Sequence, residues 1–486
     1  MGLPSSRARP SLCHRLGAGL ALVLVVVSAP LSGADAQQPD GAAIHARATL
    51  VARLDSLARD FLTAAPAVGA TVAVVKGRDT LLLEGVGLRD REHRVAADTG
   101  TVYRVGSITK QFTAALVMRL VDSGRLHLDD SLRTLLPQYP QWRTVTLRQL
   151  LNHTSGIPSY TGSPAWRRKW ARDLSPAALI AFVARDTVDF APGTQWRYDN
   201  TGYVLLGMIL ERVTHVRYAA LVQREFFTPL GLRSATYCPS RPRDRAYAKG
   251  YDLEAGKIKP NAYISMTQPY AAGALCMSVP DFLRWQAAFT GGVVVPAATY
   301  ARMITPDTLP TGASLNYGYA LMPARLGRHR EVHHGGDVHG FSAEQLWLPD
   351  DTLRVVVFTN TLGSNPKFLA DNLASAVLGL PLRQKTQLPP SVRLAVGDQA
   401  KYTGTYDIVL PSGHVLPLRV FADDDGLAAH GEAPGQGTIR LVYLGADTFG
   451  AEFDASLRLS FVFENGVAVK AHLLQRGMTM DGLRRP

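Results

Sequence analysis

Tyr103-Arg104-Val105-Gly106-Ser107-Ile108-Thr109-Lys110-Gln111-Phe112-Thr113-Ala114-Ala115-Leu116 holds the most informative tetrapeptide of the chain, Ser107-Ile108-Thr109-Lys110. The apolar spacing from Ser107 to Val121 predicts a helix. Residues three apart on a helix share a face, so a lysine amine would stand one turn from a serine hydroxyl. Serine alone is a poor nucleophile at neutral pH. A neighbouring amine can take its proton if desolvation or nearby positive charge lowers the lysine pKa. Four residues can thus supply both nucleophile and base.

So short a motif also arises by chance, and a second match exists at Ser364-Asn365-Pro366-Lys367. There Ser364 or Asn365 is expected to cap the next helix, with Pro366 in its first turn. That match is read as structural. The case for Ser107 therefore depends on the rest of the chain.

At 486 residues the chain can hold more than one domain and a large core. Its near-zero mean hydropathy is that of a soluble globular protein. Residues 1–36 differ from the rest: Arg7, Arg9 and Arg15 lead into an apolar run, Leu16 to Leu31, followed by Ala34-Asp35-Ala36. This pattern predicts a secretory signal peptide cut after Ala36, and hence a secreted or periplasmic protein without a transmembrane anchor. The run is short for a membrane span. The net charge of +12 is scattered and mostly Arg, with no basic run interleaved with aromatics. Nucleic acid is therefore not an expected partner. After processing only Cys238 and Cys276 remain, and export favours a disulfide between them over two buried thiols.

Ala43 to Ala64 reads as an amphipathic helix, and Gly69 to Lys76 with Asp79 to Gly87 as a hairpin joined by Gly77-Arg78. Residues 120–290 read as mostly helical. Tyr317 to Met322, Phe341 to Leu348 and Leu353 to Thr359 read as strands, and Phe368 to Leu378 as a helix. Strands at both ends of a helical middle predict an α/β (α+β) fold, with one antiparallel sheet built from distant segments and helices on its faces. Residues 380–396, with Pro381, Pro389 and Pro390, read as a linker. Beyond it six strand-like runs, from Tyr402 to Leu474, predict a small all-β domain or incomplete barrel over 397–486.

Two further stretches carry chemistry. Tyr198-Asp199-Asn200 follows the Pro192-Gly193 turn, with Asn200-Thr201 placed to cap a helix. Tyr198 would sit in a loop, where a phenol near an ammonium can have a lowered pKa and shuttle a proton. Asn200 can orient the lysine or a substrate amide. On local grounds alone, a core tyrosine beside a cap is the better reading. His333-His334-Gly335-Gly336-Asp337 precedes a strand, and its glycines would let a substrate backbone approach. The Asp337 N–H could then serve with the Ser107 N–H as an oxyanion hole. His333, His334, Asp337 and His339 also suggest a metal cluster, but their spacing matches no zinc motif, and no metal is expected.

Together these elements resemble the serine β-lactamases of class C, with their penicillin-binding DD-peptidase and esterase relatives. That family shows S-x-x-K, then Y-x-N, then K-T-G or H-x-G. Here the three are Ser107/Lys110, Tyr198/Asn200 and His334/Gly336, and Leu150-Leu-Asn-His-Thr-Ser-Gly-Ile157 and Phe227-Thr-Pro-Leu-Gly-Leu232 look familial too. The resemblance covers roughly residues 45 to 385. The C-terminal β segment more weakly resembles the lipocalin-like domains appended to such hydrolases.

The resemblance implies a helical domain packed on an α/β domain with the site between them. Ser107 would form an acyl-enzyme, Lys110 and Tyr198 would move protons, and Asn200 would position. The N–H groups of Ser107 and Asp337 would hold the oxyanion. No cofactor is implied. The substrate would be a small molecule or a peptide, such as a peptidoglycan fragment, and the oligomeric state is left open. Where many relatives carry lysine in the third motif, this chain has His334, and Asp337 adds negative charge beside it. A peptidase or esterase therefore ranks above a dedicated β-lactamase. A non-catalytic binding protein that has kept the fold is the alternative from another class.

Overall fold

Val72 and Val74 face one way from a central strand, and Ala73 the other, and this alternation sorts the two layers of helices around the main sheet. The computed structural model describes residues 41–64, 67–185, 188–242, 244–254, 257–383, 394–409, 415–423, 426–431, 438–451, 454–475 and 478–485. The expected leader, residues 1–36, lies outside these, as does most of the expected linker. Among the described residues no helix is long and apolar enough to cross a membrane.

After helix α1 (Gly41–Ala64) come β1 (Gly69–Lys76), β2 (Asp79–Asp90), the short β3 (Val95–Ala96) and β4 (Tyr103–Arg104). Helix α2 (Thr109–Asp122) follows, then short helical segments leading to α3 (Asn200–Thr214). Strands β5 (Thr236–Tyr237) and β6 (Leu275–Met277) make a small sheet with β4, in the order β4-β6-β5. Then come β7 (Met322–Leu326), β8 (His329–Val338), β9 (Phe341–Leu348), β10 (Leu353–Thr359) and helix α4 (Pro366–Leu378).

The main sheet is antiparallel, in the order β3-β2-β1-β10-β9-β8-β7. Its centre joins the two ends of the segment, with Val72 opposite Val357. The expected sheet of distant segments is therefore present. β1 and β10 are buried on both faces, so they read as continuous Val-rich runs. On one face Leu54, Ala58 and Phe61 of α1 and Leu369 and Leu373 of α4 cover Val72, Val74, Val355 and Val357. On the other, Ala73, Val356 and Phe358 join the large core of the helical segment, which includes Phe112, Leu150, Leu206 and Trp285.

Three expectations need correction. Residues 333–337 do not precede a strand but lie within one, β8, paired with β9 from Val332 to Val338. Residues 317–321 form no strand; β7 begins only at Met322, and the Tyr317 side chain is buried instead. The C-terminal barrel is closed, not incomplete. Its strands are β11 (Gly404–Val409), β12 (Val415–Asp423), β13 (Gly426–Gly431), β14 (Thr438–Gly445), β15 (Thr448–Ala451), β16 (Asp454–Glu464), β17 (Val467–Gln475) and β18 (Met478–Arg484). Closure comes from β11 pairing with β18, Ile408 opposite Gly482. The two strands missed in the sequence, β13 and β18, are rich in Gly, Ala and polar residues and lack the β-branched and aromatic signal of their neighbours. The barrel core is a cluster that includes Tyr402, Tyr406, Phe449, Leu459 and Phe461. Side chains thus fill an eight-stranded interior, which can alternatively hold a small ligand.

Candidate active site

The turn that carries Ser107 is built by backbone before any side chain is considered. Val105 N–H donates to the Leu275 carbonyl at 3.0 Å, and Leu275 N–H donates to the Thr109 hydroxyl at 3.1 Å, so β6 anchors both sides of Ser107. Residues Gly106–Ile108 form a single 3-10 turn, and α2 starts at Thr109. Gly106 has φ +51°, in the left-handed region that favours glycine.

This turn and the start of α2 put Lys110 Nζ 3.0 Å from Ser107 Oγ. The amine also lies 2.9 Å from Asn200 Oδ1 and 2.8 Å from the Ala272 carbonyl oxygen. Lys110 is fully buried, with the rings of Tyr198 and Tyr203 at 4.8 and 5.3 Å. Among the described residues no carboxylate pairs with it. Burial draws its pKa down to about 7, against a partly offsetting pull from Asp199. At neutral pH a large fraction of this amine is unprotonated and can accept the Ser107 proton.

The second motif is placed by a helix cap, though not the one expected from the sequence. Asp199, not Asn200, is the N-cap of α3; its carboxylate accepts from the N–H groups of Thr201 at 2.6 Å and Gly202 at 2.8 Å. Asn200 is thereby free for Lys110, and its amide Nδ2 donates to Thr161 Oγ1 at 3.3 Å. Burial raises the Asp199 pKa to about 7, opposed by its backbone hydrogen bonds and by Lys110.

The Tyr198 hydroxyl is buried and faces Ser107, close enough for the serine to favour its ionised form, yet no well-formed hydrogen bond joins the two. Burial dominates and pushes the phenol pKa well up. The lowered tyrosine pKa expected from the sequence is therefore wrong. The ammonium that was to lower it is itself desolvated, and Tyr198 stays a phenol.

Along β8 the side chains alternate. His334 and Gly336 lie on the side of Ser107, while His333 pairs with Glu344 at 3.3 Å on the opposite face. His334 is buried; its Nε2 lies 3.0 Å from the Tyr317 hydroxyl and its Nδ1 contacts the Gly335 carbonyl. These partners assign the proton to Nδ1, with Tyr317 donating to Nε2. Burial, then the Lys110 charge, draws the His334 pKa down to about 3, so the ring is neutral at pH 7.

A β-carbon on Gly336 would lie 2.1 Å from the Val105 oxygen and 2.9 Å from the Ser107 nitrogen. One on Gly106 would lie 2.8 Å from the Asp337 nitrogen. Only glycine lets strand and turn come this close, and the approach sets the Ser107 and Asp337 amides side by side. The pairing of β7 with β8 ends at His333, so the edge of residues 334–338 on this side carries no neighbouring strand. Asp337 is open to solvent, and its carboxylate accepts from the Ser342 hydroxyl at 2.6 Å.

The four residues that suggested a metal have separate partners: His333 with Glu344, His334 with Tyr317, Asp337 with Ser342, and His339 with the Ala262 carbonyl. Among the described residues no group of three such side chains is placed to hold an ion.

Two residues of the site had no role assigned from sequence. His153 has φ +63° and is buried, with its ring 4.4 Å from that of Tyr198 and 4.7 Å from that of Tyr317. Its Nδ1 accepts from Asp199 N–H at 3.1 Å. Tyr317 was hidden by its reading as a strand residue. His153 was in view within Leu150-Leu-Asn-His-Thr-Ser-Gly-Ile157, but a local pattern cannot show that a histidine underlies a tyrosine 45 positions on. Cys238 and Cys276 are joined in a disulfide, with a Cα–Cα distance of 5.1 Å.

The comparisons agree with this geometry. The family model described as Beta-lactamase matches residues 54–380. A penicillin-binding protein of Bacillus subtilis strain 168, PbpX, is 27% identical over 293 residues, covering 60% of this chain and 70% of its own. A D-aminopeptidase of Gluconobacter oxydans strain 621H is 27% identical over 356 residues, covering 70% of this chain and 65% of its own. The octameric penicillin-binding protein homologue of Pyrococcus abyssi superposes with a TM-score of 0.62 at 26% identity, over 89% of this chain and 99% of its own. The last match extends past residue 380 and so takes in barrel strands. With the match spanning most of its length, the chain belongs to the β-lactamase family and is a serine hydrolase.

Proposed function

We propose that this protein is an exported hydrolase that cleaves an amide or ester bond through an acyl-enzyme on Ser107, with D-amino-acid or DD-peptidase-like substrates first and simple esters second. The carrying observation is Lys110, a buried amine 3.0 Å from the Ser107 hydroxyl with a pKa near 7. Neutral Lys110 takes the Ser107 proton as Oγ attacks the carbonyl. The N–H groups of Ser107 and Asp337 receive the developing oxyanion. Asn200 and the Ala272 carbonyl hold the amine in place. Tyr198, still protonated, sits where it can pass a proton to the leaving group as Lys110 resupplies it. Water then releases the acyl group.

His334 supports a peptidase or esterase over a dedicated β-lactamase. It is neutral, and both ring nitrogens are already engaged, so it offers no charge to a carboxylate on the leaving side. The named D-aminopeptidase relative favours the peptide reading. Export rests on the leader-like residues 1–36 alone.

The test is incubation of the mature protein with a fluorescent penicillin, a p-nitrophenyl ester and a D-amino-acid amide, read by intact mass and turnover. A Ser107-dependent adduct or turnover is expected, with the amide or ester preferred. Normal turnover by Ser107→Ala would overturn the mechanism. No adduct and no turnover with any probe would favour the non-catalytic alternative.

A further inference from the structure

Arg104 stands three residues before the nucleophile and is absent from the mechanism above. It lies in β4 opposite Cys276, with its guanidinium carbon 5.5 Å from the centre of the Phe341 ring. Among the described residues it has neither a hydrogen-bond partner nor a carboxylate in ion-pair contact. It is nevertheless largely enclosed: burial draws its pKa down to about 10, which leaves it charged at neutral pH. Stripping water from a guanidinium without giving it a carboxylate is costly. Charged groups left in such a state are candidates for binding a ligand of opposite sign.

Its position along the substrate path follows from the backbone. The 104–107 segment runs beside the end of β8: Ser107 lies against Gly336, and Gly106 against Asp337. Arg104 lies farther along, against Phe341 and close enough to His339 to disfavour its protonation. His339 is two residues past the oxyanion amide, about 7 Å in extended chain. Tyr198, the leaving-group proton donor, is on the other side, its ring 6.3 Å from that of His334. A substrate lying along the free edge of β8 would therefore point its leaving group toward His334 and its acyl group toward His339 and Arg104.

The acyl side also has an aromatic wall. Trp170 meets the His339 ring edge to face at 4.5 Å. Tyr263 is 37% exposed, and Arg241 lies over its ring at 5.3 Å. The nearby carboxylates are occupied elsewhere: Asp252 accepts from the N–H groups of Gly340 and Ala262, and Asp337 from Ser342.

We propose that Arg104 is a specificity residue that binds an anionic group on the acyl half of the substrate, so that the preferred acyl donors carry a free carboxylate about two residues' length from the scissile carbonyl. The proposal rests on the hydrolase reading and gives that site a substrate class. A carboxylate seated there gives Arg104 its missing partner and lets the chain pack on Trp170 and His339.

The experiment compares p-nitrophenyl hydrogen adipate with p-nitrophenyl hexanoate, which share chain length and leaving group and differ in the terminal carboxylate. Wild-type protein is expected to favour the adipate in kcat/KM, with the preference shrinking as salt is raised. Arg104→Gln should reduce the adipate-to-hexanoate ratio by about tenfold or more, with the hexanoate rate nearly unchanged, and Arg104→Lys should restore part of it. An unchanged ratio in Arg104→Gln would overturn the proposal, as would an equal loss on both esters, which would mark Arg104 as a packing residue for Phe341. The salt dependence of the wild type tests the same point if the variant does not fold, and a salt-independent ratio would count against it. Ser107-dependent hexanoate turnover without adipate preference would sink this proposal and spare the hydrolase reading. No Ser107-dependent turnover of either ester would sink both.

Discussion

Gly336 approaches the turn of Ser107 so closely that any β-carbon there would lie 2.9 Å from the Ser107 amide nitrogen. Neighbouring Gly335 differs: its β-carbon would meet Glu344 Oε2, at the end of a side chain, at 2.9 Å. Gly336→Ala must therefore push backbone from backbone and misalign the two amides assigned to the oxyanion. It should cost about 1–3 kcal/mol of stability and most of the acylation rate. Gly335→Ala, where a carboxylate can swing away, should cost less in both. Thermal melts with single-turnover acylation check the contrast, and equal effects would count against the proximity argument.

The pH dependence of acylation should come from the Lys110–Asp199 pair. An ammonium cannot accept the Ser107 proton, so the rate should rise with pH through about 7, where Lys110 becomes neutral. Asp199 titrates in the same range, so the apparent value belongs to the pair. Tyr198 and His334 add no limb here, since burial drives the phenol well up and the imidazole down to about 3. Asp199 raises the pKa of Lys110, so Asp199→Asn, which still offers a cap oxygen, should move the limb to lower pH. A pH–rate profile of acylation reads this directly, and a limb that stays put or moves upward would remove Lys110 from its role.

Much of this site was legible because its parts are short and local. Ser107 and Lys110 lie on one face of a single turn. Residues 333–337 read only as leading into a strand, so the alternation that separates His334 from His333 emerges only with β8 itself. The failures occurred where burial reverses a local expectation. Tyr198 was given a lowered pKa because an amine was near, but the structure buries both groups, and desolvation outweighs attraction. Asn200 was given the cap because asparagine caps well, although Asp199 caps as well and only the tertiary contact with Lys110 divides their tasks. Tyr317 read as a strand residue because an aromatic, small and apolar run has that look, whereas its hydroxyl is held by His334. Six of the eight barrel strands are legible in the sequence, and β13 and β18 are not, because they owe their pairing to neighbours more than to their own residues.

The second S-x-x-K match supplies a structural control. Asn365 caps α4, accepting from Phe368 N–H at 3.3 Å. Ser364 is wholly buried instead; its hydroxyl donates to the Thr361 carbonyl and meets Thr359 Oγ1, each at 2.7 Å. Ser364→Ala thus removes a buried hydrogen-bonded group, and should cost about 1–3 kcal/mol. Asn365→Ala should cost about 1 kcal/mol, as a lost cap does. Neither should alter acylation by Ser107. Denaturant melts with an acylation assay check this, and a Ser364→Ala variant that folds normally but cannot be acylated would contradict the structural reading of the motif.

The Cys238–Cys276 disulfide ties β6 to the segment that follows β5, and β6 supplies the carbonyl and amide that anchor Val105 and Thr109. Both sulfurs are buried, and the bridge spans 38 residues of sequence. Constraint of the unfolded chain by such a loop is worth about 2–4 kcal/mol. The pair Cys238→Ser and Cys276→Ser should therefore lower stability by that amount. Acylation should fall much less at low temperature, because Leu275 still holds the nucleophile turn through its own backbone hydrogen bonds. The rate should then collapse on warming, at a temperature below that of the bridged protein. Acylation of the bridged and double-serine proteins across a temperature series separates the two effects. A rate lost equally at all temperatures would mean that the bridge sets the geometry of Ser107 itself.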